Sequence, residues 1–194
     1  MKRSKNRKEE IYVVAANLFR KRGYVASTMR DIAEKVGIEP SSLYSHIKSK
    51  EEILINICTN CANEFESGME AVLNAPSTYS EKILDLVDLH IDIAFDKPSS
   101  VTVFNDEWRH LPESNLASFQ KQRNLYESNF KSILESGMKS GEFIELSKTT
   151  AFQLVINSVK WIHYSAKRMS KTELEAKRNE IKLFISRGLF RKIN

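Results

Sequence analysis

The sequence predicts an all-α protein, and three observations support that prediction. Apolar residues recur at intervals of three and four, as along residues 53–72, which is the spacing of one helix face and not the alternation of a strand. Glycine and proline are scarce, with 6 and 4 in 194 residues, whereas a hairpin-rich sheet needs more of both. A hydroxyl residue three positions before a carboxylate, the signature of a helix start, occurs at Thr28/Asp31, Ser49/Glu52, Thr78/Glu81 and Ser170/Glu173.

The breaks between these periodic stretches predict about nine helices. We expect three short helices up to residue 46 and six longer ones after it. Residues that interrupt helices mark the predicted boundaries, at Gly23, Gly37, residues 75–77, 97–99, 111–112, 137–141 and 169–170.

Size and composition exclude several classes of protein. Hydrophobic residues make up 41% and charged residues 28%, which excludes disordered and fibrous chains. The longest early apolar run, residues 11–16, is too short for a signal-peptide core or a membrane span. Two cysteines do not form a disulfide framework. We therefore expect a cytosolic protein of one large domain or two small ones.

Positive charge is concentrated in the first quarter of the chain. Residues 1–50 hold 12 Lys and Arg against 5 Asp and Glu, and the other 144 residues hold 18 against 20. A basic block is typical of a surface that faces nucleic acid or an acidic membrane, and an ordinary solvated face is the plain alternative. Next to a DNA-reading element, the basic residues 2–8 predict an arm that follows phosphates.

The most specific pattern is GYVASTMRDIAEKVGIEPSSLYSHIKSKEEIL, from Gly23 to Leu54. Thr28 caps a short helix, Gly37 permits a tight turn, and Pro40 suits the first turn of a second short helix. Two short helices joined by such a turn form a helix-turn-helix. The second helix leaves small polar side chains for a DNA major groove and its phosphates: Ser41, Ser42, Tyr44, Ser45 and His46.

Residues 8–55 resemble the DNA-binding domain of the TetR/AcrR family of bacterial transcriptional repressors, and the rest of the chain is similar in length and helical layout. The resemblance implies that Thr28 and Tyr44 touch phosphates, that the three serines lie near base edges, and that His46 and Lys50 approach the DNA backbone. Ile47 departs from the family, which more often has Phe there. The predicted DNA-binding residues are Thr28, Ser41, Ser42, Tyr44, Ser45, His46, Lys48 and Lys50.

The resemblance also implies two domains, a helix-turn-helix domain at residues 1–50 and a helical effector-binding and dimerisation domain at 51–194. Two apolar stripes near the C-terminus predict a two-fold four-helix interface, and an intramolecular core is the alternative: Leu154, Val155, Val159, Ile162 and Ala166, then Ile181, Phe184, Ile185 and Leu189. Aromatic and polar residues in the middle and late helices predict an effector pocket: His90, Phe104, Glu107, Trp108, Arg109, Tyr126 and Trp161.

A second function class uses part of the same set. Glu107 and His110 stand one helical turn apart, the spacing found in di-iron bundle proteins, and His90 is a possible third ligand. No second such pair is apparent, so a helical metal-binding bundle is the alternative and not the preferred reading. Cys58 and Cys61 have the spacing of a dithiol, but they lie within a helical stripe and are better explained as buried apolar residues.

Together these observations predict a homodimeric transcriptional regulator and not an enzyme, since no phosphate-binding loop or nucleophile elbow is present. We expect it to be a repressor that binds double-stranded operator DNA and is released by a small effector, with no cofactor. Within the family the chain resembles regulators of lipid or acyl-coenzyme A metabolism, and multidrug-type aromatic effectors remain open. A module that binds anionic membranes through the basic start is a further alternative.

Overall fold

The computed structural model describes residues 2–191, with side chains from residue 7 onward. These residues form ten α-helices, nine of them longer than a single turn, which confirms the all-α prediction and the count of about nine. The helices are α1 (Lys2–Arg22), α2 (Met29–Val36), α3 (Pro40–His46), α4 (Lys50–Asn74), α5 (Tyr79–Asp96), α6 (Pro98–Asp106), α7 (Glu113–Lys139), α8 (Lys148–Lys160), α9 (Ile162–Ser165) and α10 (Lys171–Leu189).

Three of the four predicted helix starts form complete capping boxes, at the beginnings of α2, α5 and α10. At α4 only half of the box is present. The Ser49 hydroxyl accepts a hydrogen bond from the Glu52 N–H at 3.2 Å, but the Glu52 carboxylate accepts from the Lys48 N–H at 2.7 Å. The carboxylate thus satisfies the amide one residue earlier than the signature predicts.

One predicted length was wrong: the first helix is not short, because α1 spans 21 residues. The break predicted at 137–141 is confirmed, although Gly137 itself does not interrupt α7, which continues to Lys139. A Cβ at Gly137 would overlap the ring of Phe143, so this glycine allows close packing, and the break comes at Gly141, whose φ is 82°.

The chain divides into two compact units that differ from the predicted domains. Unit 1 comprises Met1–Asn63 and Ser99–Gln120, and unit 2 comprises Glu64–Pro98 and Lys121–Asn194. Both α4 and α7 contribute residues to each unit. The functional boundary at residue 50 stays a prediction, while packing joins α6 and the start of α7 to the helix-turn-helix.

The core of unit 1 is built from α1 to α4 with α6 and the start of α7. Its fully buried side chains include Phe19, Ile32, Leu43 and Ile53. Ile47 is also completely buried, which confirms that an aliphatic residue fills the position where the family more often has Phe. Burial of this apolar area is the main term that holds the short helices α2 and α3 in place, since isolated helices of seven or eight residues are unstable in water.

Unit 2 packs α5 against α8 and α10, and this core explains most of the stripes predicted to form a dimer. Seven of the nine stripe residues are buried within the single chain: Val155, Val159, Ile162, Ala166, Ile181, Ile185 and Leu189. Only Leu154 and Phe184 are exposed. The alternative of an intramolecular core therefore holds for those seven residues, because a side chain that is buried within one chain is not available to a dimer interface.

Candidate DNA-binding and effector sites

The helix-turn-helix begins at Thr28, whose side chain and backbone are fully used in capping α2. The Thr28 hydroxyl accepts from the Asp31 N–H at 3.1 Å and donates to the Asp31 carboxylate at 2.6 Å. Because the Thr28 side chain and backbone N–H both bond to it, the carboxyl of Asp31 has a lowered pKa. Gly37 ends α2 with a φ of 75°, a left-handed turn that suits glycine.

α3 buries one face and exposes a polar one. Leu43 is inaccessible to solvent, whereas Ser41, Ser42 and Ser45 are exposed and Tyr44 keeps 54% of its surface. The Ser45 hydroxyl donates to the Ser42 carbonyl at 2.7 Å, which leaves its oxygen able to accept. The ring of Tyr44 is exposed and does not belong to the core, so it is accessible, which a phosphate contact requires.

The basic side chains after α3 differ in how far they are already engaged. His46 is half-buried and Lys48 is exposed. Lys50 donates to the carbonyls of Tyr24 and Ser27, both at 2.9 Å, and more weakly to Val25 at 3.4 Å. An ammonium group has three donors, so these acceptors occupy Lys50 within the protein. A phosphate contact by Lys50 stays a prediction that would require it to exchange partners.

The predicted basic arm, residues 2–8, lies largely outside the described side chains. Of the two that are described, Arg7 pairs with Glu10 at 2.7 Å and Lys8 lies 3.9 Å from Glu52. Both cations remain about 40% exposed. Exposed ion pairs are weak, so a polyanion can compete for either cation.

Glu107, a predicted effector residue, and His110, a predicted metal ligand, both contact Tyr24 or its neighbours in unit 1. Glu107 accepts from the Tyr24 N–H at 3.2 Å and lies 3.5 Å from His110 Nε2. The His110 ring stacks on Tyr24 with centroids 5.5 Å apart. Burial, followed by the nearby carboxylate of Glu51, raises the pKa of Tyr24 to about 12.

The other predicted residues of this segment form an aromatic group in unit 1. Phe104 and Trp108 both contact Phe119, with ring centroids 5.4 and 5.8 Å apart. The exposed Arg109 guanidinium lies 4.6 Å from the centroid of the Trp108 ring. Phe104 and Trp108 are packed against the same core as the helix-turn-helix.

His90 and Tyr126 form the centre of an aromatic cluster in unit 2. His90 Nε2 and the Tyr126 hydroxyl are 2.7 Å apart, and the Phe65 ring lies 4.7 Å from the His90 ring. The cluster continues through Phe130 to Phe152, whose centroids are 5.3 Å apart. We name these five residues from α4, α5, α7 and α8 the aromatic cluster.

Burial lowers the pKa of His90 to about 4 and raises that of Tyr126 above its ordinary value. Both side chains are therefore neutral at physiological pH. Each nevertheless retains some accessible surface. A side chain that is surrounded by protein and still accessible is typical of the lining of a ligand site.

The prediction of Trp161 as an effector residue receives no such support. Trp161 follows α8, keeps 40% of its surface, and donates from Nε1 to the Ser158 carbonyl at 2.7 Å. On or beside α8, α9 and α10, unit 2 has five exposed large apolar side chains: Leu154, Trp161, Tyr164, Leu183 and Phe184. We name these five residues the exposed apolar surface.

The metal-binding alternative was wrong. Among residues 7–191, no group of three or more His, Cys, Asp or Glu side chains is placed to hold a metal ion. His90 belongs to unit 2, whereas Glu107 and His110 belong to unit 1. Cys58 and Cys61 are both buried and form no disulfide, and burial raises the pKa of Cys58 to about 12, so the interpretation as buried apolar residues is confirmed.

Sequence reasoning missed the contacts made by Lys50 and the place of Phe65 in the aromatic cluster. Lys50 reaches back 26 residues to Tyr24, and His90 and Tyr126 are 36 residues apart. Such pairs leave no local spacing signal. No described helix is both long and apolar enough to cross a membrane.

Two sequence families match the chain. Residues 11–57 match bacterial regulatory proteins of the tetR family, and residues 76–164 match the tetracyclin repressor-like C-terminal domain. The first match contains α2 and α3 in full, and the second contains α5 to α8. The two matches occur in the predicted order, with the helix-turn-helix domain before the effector-binding domain.

Named relatives agree with these matches. The HTH-type transcriptional repressor KstR2 of Mycolicibacterium smegmatis is 28% identical over 139 residues, 71% of this chain and 68% of that one. The fatty acid metabolism regulator protein of Bacillus subtilis is 26% identical over 163 residues, 82% of each chain. The solved structure of AibR in complex with isovaleryl coenzyme A and operator DNA has the same fold, with a TM-score of 0.76 at 20% identity over 91% of this chain and 96% of that one. The chain therefore belongs to the TetR family of bacterial transcriptional regulators, and α2 and α3 are its DNA-binding helix-turn-helix.

Proposed function

We propose that the chain is a repressor that binds a near-palindromic operator as a homodimer and leaves it when an acyl or lipid-like effector binds unit 2. The observation that carries the DNA-binding part is α3, a two-turn helix with one face anchored by Leu43 and the other exposing Ser41, Ser42, Tyr44 and Ser45. Small polar groups on such a helix suit the edges of bases in the major groove. A regulator of this kind acts on the bacterial chromosome, in the cytoplasm.

The exposed side chains of α3 differ in length, and we assign them different DNA contacts on that basis. The phenol of Tyr44 is long and exposed, so we assign it to a phosphate, which positions the helix without reading sequence. The shorter side chains of Ser41 and Ser42 serve base edges. Phosphate contacts release counterions, so operator affinity should fall steeply as salt is raised.

The exposed apolar surface of unit 2 supports a homodimer. Its members keep between 40% and 68% of their surface, and large apolar side chains exposed on neighbouring helices are typical of a surface that another protein covers. A second copy of the chain would cover them by two-fold symmetry. Two recognition helices about 34–36 Å apart would then meet successive major grooves.

The dimer proposal has a matched pair of variants. Phe184→Glu places a charge in the exposed apolar surface, and Leu125→Glu places the same charge on α7 at a comparably exposed leucine (68% and 51%). We expect light scattering to report a monomer for the first variant and a dimer for the second. A dimeric Phe184→Glu with unchanged operator affinity would show that the interface lies elsewhere.

The aromatic cluster supports the effector class. Its two polar members are neutral, its other members are phenylalanines, and it therefore suits an uncharged, largely apolar group that carries one hydrogen-bonding oxygen. The acyl part of a thioester has those properties. The names of relatives point the same way, since one is a fatty acid metabolism regulator and AibR was solved with isovaleryl coenzyme A.

The experiment has two stages. Wild-type protein selects duplexes from genomic fragments, and the selected duplex is then titrated with acyl-coenzyme A thioesters of increasing chain length. We expect at least one thioester to release the duplex, and Phe65→Ala to weaken that release while ligand-free DNA binding is kept. Failure to select any duplex would contradict the repressor proposal, and selection without release by any thioester would contradict the effector class.

A further inference from the structure

We propose that Glu107 is a positioning residue for DNA binding, because its carboxylate fixes the loop from which the helix-turn-helix starts. The inference rests on DNA binding by α3 and is independent of the effector. Glu107 follows α6 directly and precedes a single 3-10 turn at Trp108–His110. Its side chain is only 18% exposed and is directed at the loop between α1 and α2.

The first contact is with the backbone of that loop. Glu107 Oε1 accepts from the Tyr24 N–H at 3.2 Å, across 83 residues of sequence. The same oxygen lies 3.6 Å from the position a Cβ would occupy on Gly23, so the carboxylate rests against the glycine that ends α1. Gly23 has a φ of 84°, and this left-handed residue turns the chain from α1 into the loop.

The second contact is with a neighbouring histidine. His110 Nε2 lies 3.5 Å from Glu107 Oε2, and the His110 ring stacks on the Tyr24 ring at an interplanar angle of 23°. Glu107 and His110 thus hold Tyr24 by its amide and by its ring. Tyr24 itself is only 6% exposed, so a shift of this residue requires the loop to move with it.

A third set of contacts reaches the same loop from α4. Lys50 donates to the Tyr24 and Ser27 carbonyls and lies 4.3 Å from the centroid of the Tyr24 ring. Lys50 therefore holds the carbonyl side of the loop, while Glu107 holds an amide at its start. Thr28, the capping residue of α2, follows the loop immediately.

The position of α3 depends on this loop because α2 is short and begins at its end. Recognition requires side chains within a few tenths of an ångström of base edges, so a loosened loop costs specific binding more than general attraction to phosphate. The carboxylate contributes no direct contact with DNA in this proposal. Its role is to keep the loop, and through it α2 and α3, in one pose.

Three variants separate this role from a loss of folding or of charge. Glu107→Ala removes the acceptor, whereas Glu107→Gln keeps an oxygen for the Tyr24 N–H and removes the charge. Glu70→Ala removes the same charge from an exposed position on α4. The DNA probes are the duplex selected by the wild-type protein and a scrambled duplex of equal length.

We expect Glu107→Ala to bind the selected duplex at least about tenfold more weakly, with scrambled-duplex affinity and salt dependence unchanged. Glu107→Gln and Glu70→Ala should remain within about threefold of wild type on both duplexes. Amide hydrogen exchange provides a readout without DNA. The Tyr24 amide should lose protection in Glu107→Ala and keep it in Glu107→Gln.

The proposal is overturned if Glu107→Ala binds the selected duplex as wild type does, if Glu107→Gln loses as much affinity as Glu107→Ala, or if both duplexes weaken equally. If Glu107→Ala does not fold, Glu107→Asp takes its place, since one methylene less withdraws the carboxylate from the Tyr24 amide. A wild-type chain that selects no duplex contradicts the proposed function, and the Tyr24 exchange result then decides whether the carboxylate holds the loop.

Discussion

Two of the histidine–tyrosine pairs in residues 7–191, one in each unit, use the same residue types in opposite ways. In unit 1, His110 stacks on Tyr24, and Glu107 lies beside both. In unit 2, His90 and Tyr126 share a hydrogen bond of 2.7 Å among phenylalanines. In the first pair a carboxylate lies beside an exposed histidine, whereas in the second the histidine is largely enclosed and its ring nitrogen shares a hydrogen bond with a phenol.

The difference shows what each region is built to hold. A charged group beside a backbone amide fixes a loop, and the cost of burying it is small where one side faces water. A neutral pair inside apolar surroundings keeps a polar contact available without the desolvation cost of a charge. The polar contacts of the first pair therefore hold the loop before α2 in place, and the neutral second pair suits a site for an uncharged ligand.

Replacing each histidine by a charged residue should give the largest difference in stability between the two pairs. His90→Lys buries an ammonium group that has no carboxylate partner in the aromatic cluster, and it should lower the free energy of unfolding by about 3 kcal/mol or more. His110→Lys places a cation near Glu107 at an exposed position and should change stability by less than about 1 kcal/mol. Urea unfolding at pH 7.5 measures both. Equal losses would show that the two environments are alike.

The dependence of stability on pH tests the same contrast in the wild-type protein. The pKa of His90 is about 4 in the folded state and 6.5 for an imidazole in an unfolded chain, so the unfolded state takes up a proton first as pH falls. The contribution of His90 is therefore fully present above about pH 6.5 and is lost as pH falls towards 4. At pH 5 the loss should be about 2 kcal/mol relative to pH 7.5.

His90→Gln isolates that contribution, because the amide can bond Tyr126 and does not titrate in this range. The variant should lose about 2 kcal/mol less than wild type between the two pH values. The same substitution at the other pair, His110→Gln, is measured beside it for comparison. A His90→Gln curve that runs parallel to wild type would show that the folded-state pKa of His90 is not lowered.

Much of this arrangement was predictable from local sequence, and the rest was not. Thr28, Gly37 and Pro40 act within one turn of their own positions, so capping and turn chemistry predicted α2 and α3 correctly. The exposed face of α3 was also predictable, because it depends on the spacing of residues within that helix. These residues fix structure through neighbours three or four positions away.

Long-range partners explain the failures. Glu107 and His110 have the spacing of metal ligands, but their partner is an amide 83 residues earlier, and His90 bonds instead to Tyr126. The apolar stripes of α8 and α10 did not reveal which face is covered by α5. Periodicity identifies an apolar face, and only the tertiary packing shows whether that face is buried within one chain.

Removing the tyrosine hydroxyls should separate folding from DNA binding. The Tyr126 hydroxyl bonds His90, and the Tyr24 hydroxyl bonds Glu51. Each replacement by Phe should cost about 1 kcal/mol of stability. Tyr24→Phe should also weaken operator binding by about threefold, because the loop before α2 is loosened, whereas Tyr126→Phe should leave ligand-free operator affinity unchanged. A larger operator defect in Tyr126→Phe would reverse the roles assigned to the pairs.

The smallest effect concerns Arg109, which stands between Glu107 and His110 in sequence but does not share their task. Its guanidinium is exposed over the Trp108 ring, and an exposed cation–π contact is worth about 0.5–1 kcal/mol. Arg109→Ala should therefore change operator affinity of the ligand-free protein by less than about twofold. The sequence predicts Arg109 as an effector residue, so the same variant should need more thioester to release the operator, and Arg109→Lys should recover part of that response. Fluorescence anisotropy of the selected duplex with and without thioester measures both quantities. A tenfold loss of ligand-free affinity in Arg109→Ala would instead group Arg109 with Glu107 and His110, which hold the loop before α2, and a different residue would then have to bind the effector.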